Sequence, residues 1–304
     1  MVSFFFFDIL YEQKEGKTMS VILALLAAFF ASLTSILAKI GMDNVNSNLA
    51  TAIRTVIVLL MSFVIVLLTG QVETISMISS KALLFIGLSG VATGLSWLFF
   101  FKALAIGDVS KVVPIDKSSI VLTIILSIFI LGEEAIPHIL VGGALIAIGT
   151  FVLIGKNEEK KRFTGSQIYI IYALIGAIFA ALTSILAKIG MEDVDSNVAT
   201  FLRTVMILIF AWAIVVFQGT FRDMKKIKKK SYLFLILSGA ATGLSWLCYF
   251  AAIAMGKVSV VAPIDKFSVV LTMILGFVIL KEKATKVTIV GGVIITIGTV
   301  FLLL

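Results

Sequence analysis

The chain has one cysteine, Cys248, and one histidine, His138, among its 304 residues. A lone cysteine excludes an intrachain disulfide and any cysteine-based metal site. His138 follows Pro137 at an expected helix start, where a surface or interface role suits it better than that of a ligand or base. No Ser/His/Asp or Cys/His set can be assembled, so no enzymatic chemistry, metal or cofactor is expected. Charge is scarce as well. Only 14% of residues are Asp, Glu, Lys or Arg, 60% are hydrophobic, and the mean hydropathy is +1.17. A soluble protein of this length could not cover its core with so little polar surface. Apolar stretches long enough to cross a bilayer recur from end to end, which gives an all-α polytopic membrane protein with the lipid bilayer as its first partner. The net charge of +8 is not a nucleic-acid signature. The bases sit in short connections, where they anchor helix ends to headgroups, and no basic soluble domain exists to bind nucleic acid.

The first eighteen residues, "MVSFFFFDILYEQKEGKT", do not fit a signal peptide: the apolar run is short and no small-residue cleavage site follows it. "KEGKTM" can be encoded by a purine-rich stretch just before an ATG, the pattern of a bacterial ribosome-binding site. Translation is therefore expected to start at Met19, with 1–18 as an untranslated tail.

What the sequence does have is a repeat. "TSILAKIGM" at Thr34–Met42 recurs at Thr183–Met191, and "ATGLSWL" at Ala92–Leu98 recurs at Ala241–Leu247. "PIDK" occurs at Pro114–Lys117 and at Pro263–Lys266. All match without a gap at one offset of 149 residues (203 − 54 for the arginine pair Arg54 and Arg203). Each copy reads as five spans: near 21–40, 50–69, 82–105, 109–131 and 138–155, then near 168–189, 199–218, 231–254, 258–280 and 287–304. The domain plan is a first repeat over 19–155, a charged linker over 156–165 and a second repeat over 166–304. Five is odd, so the second copy crosses the membrane in the opposite sense. The expected fold is ten transmembrane helices as two inverted five-helix repeats.

Charge sets the orientation. Connections on the linker's side hold 18 of the 25 basic residues. The positive-inside rule puts the linker in the cytoplasm and both termini outside, with the protein multi-pass in the cytoplasmic membrane.

Trp97 and Asp116 lie equally far from the turn near Ile106–Gly107. At about 1.5 Å per residue they sit roughly 8–14 Å below the helix ends. Lys39 and Arg54 flank the preceding turn on the same face. Each half therefore builds a layer: Lys39, Arg54, Trp97, Asp116 and Lys117 in one, and Lys188, Arg203, Trp246, Asp265 and Lys266 in the other. Inversion is expected to put one layer near each membrane face, as two gates. Pro114 and Pro263 lack an amide hydrogen and release the carbonyls of Ser110 and Ser259, which suits a buried or wet site. Asp116 and Asp265 each cost about 2.5–3.5 kcal/mol at a bilayer centre, so both are expected to find cations. A static Asp116–Arg54 salt bridge and lysines that merely snorkel are the plainer alternatives. Glu133 and Glu282 read as surface residues. Gly90, Gly94, Gly142, Gly149 and their counterparts read as helix-packing faces. Specificity is expected where the halves disagree, at Lys102 against Ala251, Phe100 against Tyr249, Phe99 against Cys248 and Ser118 against Phe267.

With "SILAKIG", "ATGLSWL", "VxPIDKxSxVLT" and "GGxxIxIGT" present in both halves, the chain resembles EamA-domain proteins of the drug/metabolite transporter superfamily. The resemblance covers Met19 to Leu304. It implies a ten-helix basket with a central cavity lined by the first, third and fourth helices of each half, and export or exchange of small metabolites or amino acids. Larger ten-helix relatives usually keep both termini in the cytoplasm, which the charge count here opposes. The expected function is a secondary transporter working by alternating access, proton-coupled or exchanging, and functional as a monomer because both halves are fused. More cations than anions in each layer favour carboxylate-bearing or zwitterionic small-molecule substrates. The alternative is a lipid-handling or accessory membrane protein, which would need a lateral opening lined by the same bases.

Overall fold

The computed structural model describes residues 2–42, 44–106, 115–116, 118–154, 168–281 and 284–304, with side chains from Gly16 onward. Pro114, Lys117, Glu282 and the linker 156–165 lie outside the described residues. Eleven helices are described: α1 (Val2–Gly41), α2 (Ser47–Leu68), α3 (Ser80–Ile106), α4 (Ser119–Leu131), α5 (Pro137–Ile154), α6 (Ile168–Gly190), α7 (Ser196–Phe217), α8 (Lys229–Met255), α9 (Val258–Asp265), α10 (Ser268–Ile279) and α11 (Lys286–Leu303). Among the described residues eight runs are long and apolar enough to cross a membrane, with α9 and α10 counted as one; α4 and α5 are apolar but shorter. The protein is an all-helical, multi-pass membrane protein.

Local chemistry sets the helix ends. Asn46 caps α2, its side-chain oxygen accepting from the amides of Asn48 (2.9 Å) and Leu49 (3.2 Å). Asp195, its counterpart in the repeat, caps α7 through Asn197 (2.7 Å) and Val198 (3.4 Å). Both are residue types with a short acceptor that reaches the orphan donors of a first turn. Short 3-10 helices, Glu73–Met77 and Thr220–Lys226, precede α3 and α8.

The span expected over 258–280 is broken. Pro263 sits in the last turn of α9, and three-residue bonds follow it: the Lys266 amide donates to Pro263 O (3.0 Å) and the Phe267 amide to Ile264 O (2.9 Å). The missing proline N–H leaves Ser259 O without its helical donor, so the chain tightens before α10 resumes. The first repeat steps in the same way, with the Ser118 amide donating to Ile115 O at 3.2 Å.

The two repeats pack through reciprocal contacts. Ser238 Oγ of α8 donates to Thr34 O of α1 (2.9 Å), and Ser89 Oγ of α3 donates to Thr183 O of α6 (2.6 Å). A methyl on Gly90 would meet Met206 Cβ at 2.7 Å and Arg203 O at 2.9 Å; on Gly239 it would meet Ile57 Cβ at 2.8 Å and Arg54 O at 3.0 Å. These close approaches are what small residues on α3 and α8 allow. The pairs α1/α8 and α3/α6 run antiparallel. So do α5 and α11, where Gly142 faces Gly298 O and Gly149 faces Gly291 O, each at 2.8 Å from a built methyl. The main core gathers α6, α8 and α9 around Ile185, Phe250, Ile253, Val261 and Ile264.

Candidate functional site

Two arginines cross from one repeat to the other. Arg203 of α7 is 1% exposed. Its Nε donates to Ser89 Oγ (2.8 Å), its Nη2 to Thr93 Oγ1 (3.3 Å), and its guanidinium lies 3.7 Å from the centroid of the Phe250 ring. Its Nη1 is buried without a hydrogen-bond acceptor. Arg54 of α2 mirrors it: Nη2 donates to Thr242 Oγ1 (2.8 Å), and Nε is buried without an acceptor. The hydroxyls are oriented for this. Thr93 Oγ1 donates to Ser89 O (3.0 Å) and Thr242 Oγ1 to Ser238 O (2.7 Å), which leaves their lone pairs for the guanidinium. Among the described residues neither arginine forms a salt bridge. A static Asp116–Arg54 bridge is therefore absent; Arg54 spends its donor on the other repeat.

Sequence reasoning missed the hydroxyls. "LSGVATGLS" reads as a glycine face, yet Ser89 and Thr93 stand one helical turn apart beside Gly90 and Gly94. The signal was available. An arginine in an apolar run has five donors to satisfy, and hydroxyls spaced by four recur in both halves.

Asp265 and Lys266 pair with each other, Nζ to Oδ2 at 3.3 Å, with side chains 19% and 34% exposed. Asp265 acts most strongly on Lys266, and Asp116 of the other repeat acts on it weakly. Tyr249 shares a 2.8 Å hydrogen bond with Ser184 of α6 and stacks edge-on with Phe250 (5.1 Å). It links this cluster to Arg203.

The other expected residues are dispersed. Lys188 does not reach a carboxylate: its Nζ donates to the carbonyls of Ile253 (2.6 Å), Ala254 (3.0 Å) and Gly256 (3.0 Å), capping the end of α8. A cation there also meets the negative end of the helix dipole. Lys39 is exposed. Lys102 is exposed and lies 4.6 Å from the centroid of the Tyr172 ring of α6; the positions that correspond to these two in the other half are Ala251 and Leu23. Trp97 packs against the buried cluster that holds Leu49, Ile53 and Val215, and Trp246 against the main core. Glu133 is no surface residue. Its carboxylate accepts from the amides of Val258 (2.6 Å) and Ser259 (2.9 Å), capping α9 from the other repeat.

A cavity of about 670 Å³ opens at this end of the bundle. Lys17, Glu133, His138, Lys188, Glu192 and Lys257 contribute its charge, and Val21, Ile130, Ile139 and Val260 its apolar wall. Ser184 and Tyr249 lie one helical turn beyond Lys188, so the cavity is a vestibule above the Tyr249–Asp265 cluster.

The EamA-like transporter family matches the chain twice, over residues 18–155 and 167–304. A Sinorhizobium protein described as an uncharacterized transporter in the cobO 3′ region is 46% identical over 137 residues, which cover 45% of this chain and 97% of that one. One repeat is thus a whole relative. A solved structure described only as a crystal structure of a protein shares the fold, with TM-score 0.76 at 17% identity over 93% of this chain and 96% of that one. A family match to each repeat, buried cross-repeat arginines and membrane-length apolar helices agree: the chain belongs to the EamA-like transporter family and is a multi-pass membrane transporter.

Proposed function

We propose a secondary transporter in which two inverted five-helix repeats, ten spans in all, rock to give alternating access to a small carboxylate-bearing or zwitterionic metabolite. Its direction is export or exchange, coupled to protons or to a counter-substrate, and one fused chain suffices. The repeats are assigned to 19–155 and 166–304, with the linker 156–165 cytoplasmic and the termini outside. Inversion is supported by α5 and α11, counterparts in the repeat that pack antiparallel through Gly142 and Gly298.

The observation that carries the substrate class is Arg203. A cation at that depth is expensive, and here it is held by hydroxyls and an aromatic face with one donor pair unused. An anionic group entering from the Tyr249 side would complete it. The vestibule, amphoteric with an apolar wall, suits the same solutes. A lipid-handling role is less well supported. The groove along the outside of α3, lined by Ser80, Leu83, Leu84, Gly87, Leu88 and Val91, carries no base.

Purified protein in proteoliposomes is expected to exchange internal for external radiolabelled neutral amino acids or monocarboxylates well above empty-vesicle leak, and to ignore lipophilic cations. Exchange of cations alone would overturn the substrate class, and lipid scrambling without solute exchange would favour the lipid-handling reading. Orientation has its own test. With Cys248 replaced, a cysteine at Lys228 is expected to resist impermeant thiol reagents in intact cells while one at Leu304 labels; the reverse pattern would invert the topology.

A further inference from the structure

The corner between α8 and α9 is capped twice, with opposite charges. Lys188 of α6 gives all three ammonium protons to the carbonyls that end α8, and Glu133, at the end of α4 in the other repeat, takes the two amides that begin α9. The two charged groups also attract each other, Glu133 acting on Lys188 more strongly than Glu192 does. Together they floor the vestibule. Behind them lie Ser184 and Tyr249, then Asp265.

Resting on the transporter reading, we propose that Glu133 and Lys188 form the latch that seals the vestibule mouth of the translocation path. The latch is built for reversibility. Each partner is a side-chain cap on a helix end, so releasing it breaks no helix. Water can take over the freed carbonyls and amides once the mouth opens. Its Glu133 half spans the repeats, so rocking one against the other must break it: Glu133 belongs to the first repeat and α9 to the second, while Lys188, capping α8 within the second repeat, holds the corner that Glu133 closes. It acts by position, through α9, which carries Pro263 and Asp265. A neighbouring contact, Lys257 with Glu134 at 3.2 Å, has side chains 43% and 78% exposed. It contributes little, as exposed pairs do.

The test reads accessibility, without substrate. In a Cys248→Ala background, Ser184→Cys reports from behind the latch in oriented vesicles. Glu133→Gln keeps one acceptor and loses the second; Lys188→Met uncaps the α8 carbonyls. Each is expected to raise labelling of the reporter by an impermeant thiol reagent about tenfold from the vestibule side and to lower it from the opposite side. Glu134→Gln is expected to change neither rate by more than about twofold. Unchanged rates, or a rise from both sides alike, overturn the latch; a rise from both sides is what simple loosening of a structural cap would give. Labelling that follows the expected pattern in protein without solute exchange would keep the latch and sink the transport reading.

Discussion

Arg203→Met is expected to cut exchange of carboxylate solutes about tenfold to a hundredfold while leaving the fold as stable as before or slightly more so. The combination follows from where the hydroxyl protons go. Ser89 Oγ already donates to Thr183 O and Thr93 Oγ1 to Ser89 O. Removing the guanidinium therefore orphans no buried donor. Methionine fills similar volume and keeps the contact with Phe250. Replacing a buried charge by an apolar group of like size is commonly neutral or stabilising, because the desolvation penalty disappears with the charge. Transport has no such compensation. One charge-assisted contact to a desolvated carboxylate contributes about 1.5–3 kcal/mol, which sets the range of loss. Thermal unfolding of the purified variant, alongside exchange in proteoliposomes, separates the outcomes. Full exchange with lowered stability would make Arg203 a structural tie between α3 and α7. Arg54→Met is expected to behave alike but less strongly, since Arg54 is only half-buried and makes one of these hydrogen bonds.

Helix positions were legible in the sequence because hydrophobic runs and their ends are local. The spans expected near 199–218 and 231–254 appear as Ser196–Phe217 and Lys229–Met255. The span over 258–280 reads as continuous, and its break was not foreseen, although the carbonyl that Pro263 releases is the local signal for it. The repeat offset was legible too, and it foretold reciprocity: Arg54 with Thr242 and Arg203 with Thr93 are one contact written twice. What the sequence hid was which partner each charge takes. Lys188 and Asp265 look like complementary charges along the chain, yet the lysine finds carbonyls of α8 and the aspartate finds Lys266. Choice among partners depends on how the repeats interlock, which no local pattern encodes. Glu133 was obscured for the same reason: its acceptor role needs α9, 125 residues away, at its side.

The Asp265–Lys266 pair carries the second large effect. Asp116→Asn or Asp265→Asn alone is expected to reduce exchange while protein yield stays near normal, because Lys266 is a third exposed and keeps the attraction of the other carboxylate, strong from Asp265 and weak from Asp116. The double variant is different. It leaves the Lys266 ammonium, two-thirds covered, without the attraction of either carboxylate. An uncompensated buried charge is strongly destabilising. The double variant is therefore expected to lose more stability than the two singles together, with a coupling of about 1 kcal/mol in a double-mutant cycle. Adding Lys266→Met removes the stranded charge. It is expected to restore the unfolding midpoint without restoring exchange. Rescue of stability alone would separate charge balance from transport, and simple additivity of the aspartates would mean that they do not share Lys266. In the second repeat PIDK puts Asp265 beside Lys266 on a helix end that Pro263 loosens. In the proposed transporter a solute carboxylate or ammonium arriving there would exchange with Asp265 or Lys266, and Asp116 of the other repeat would add to the same field.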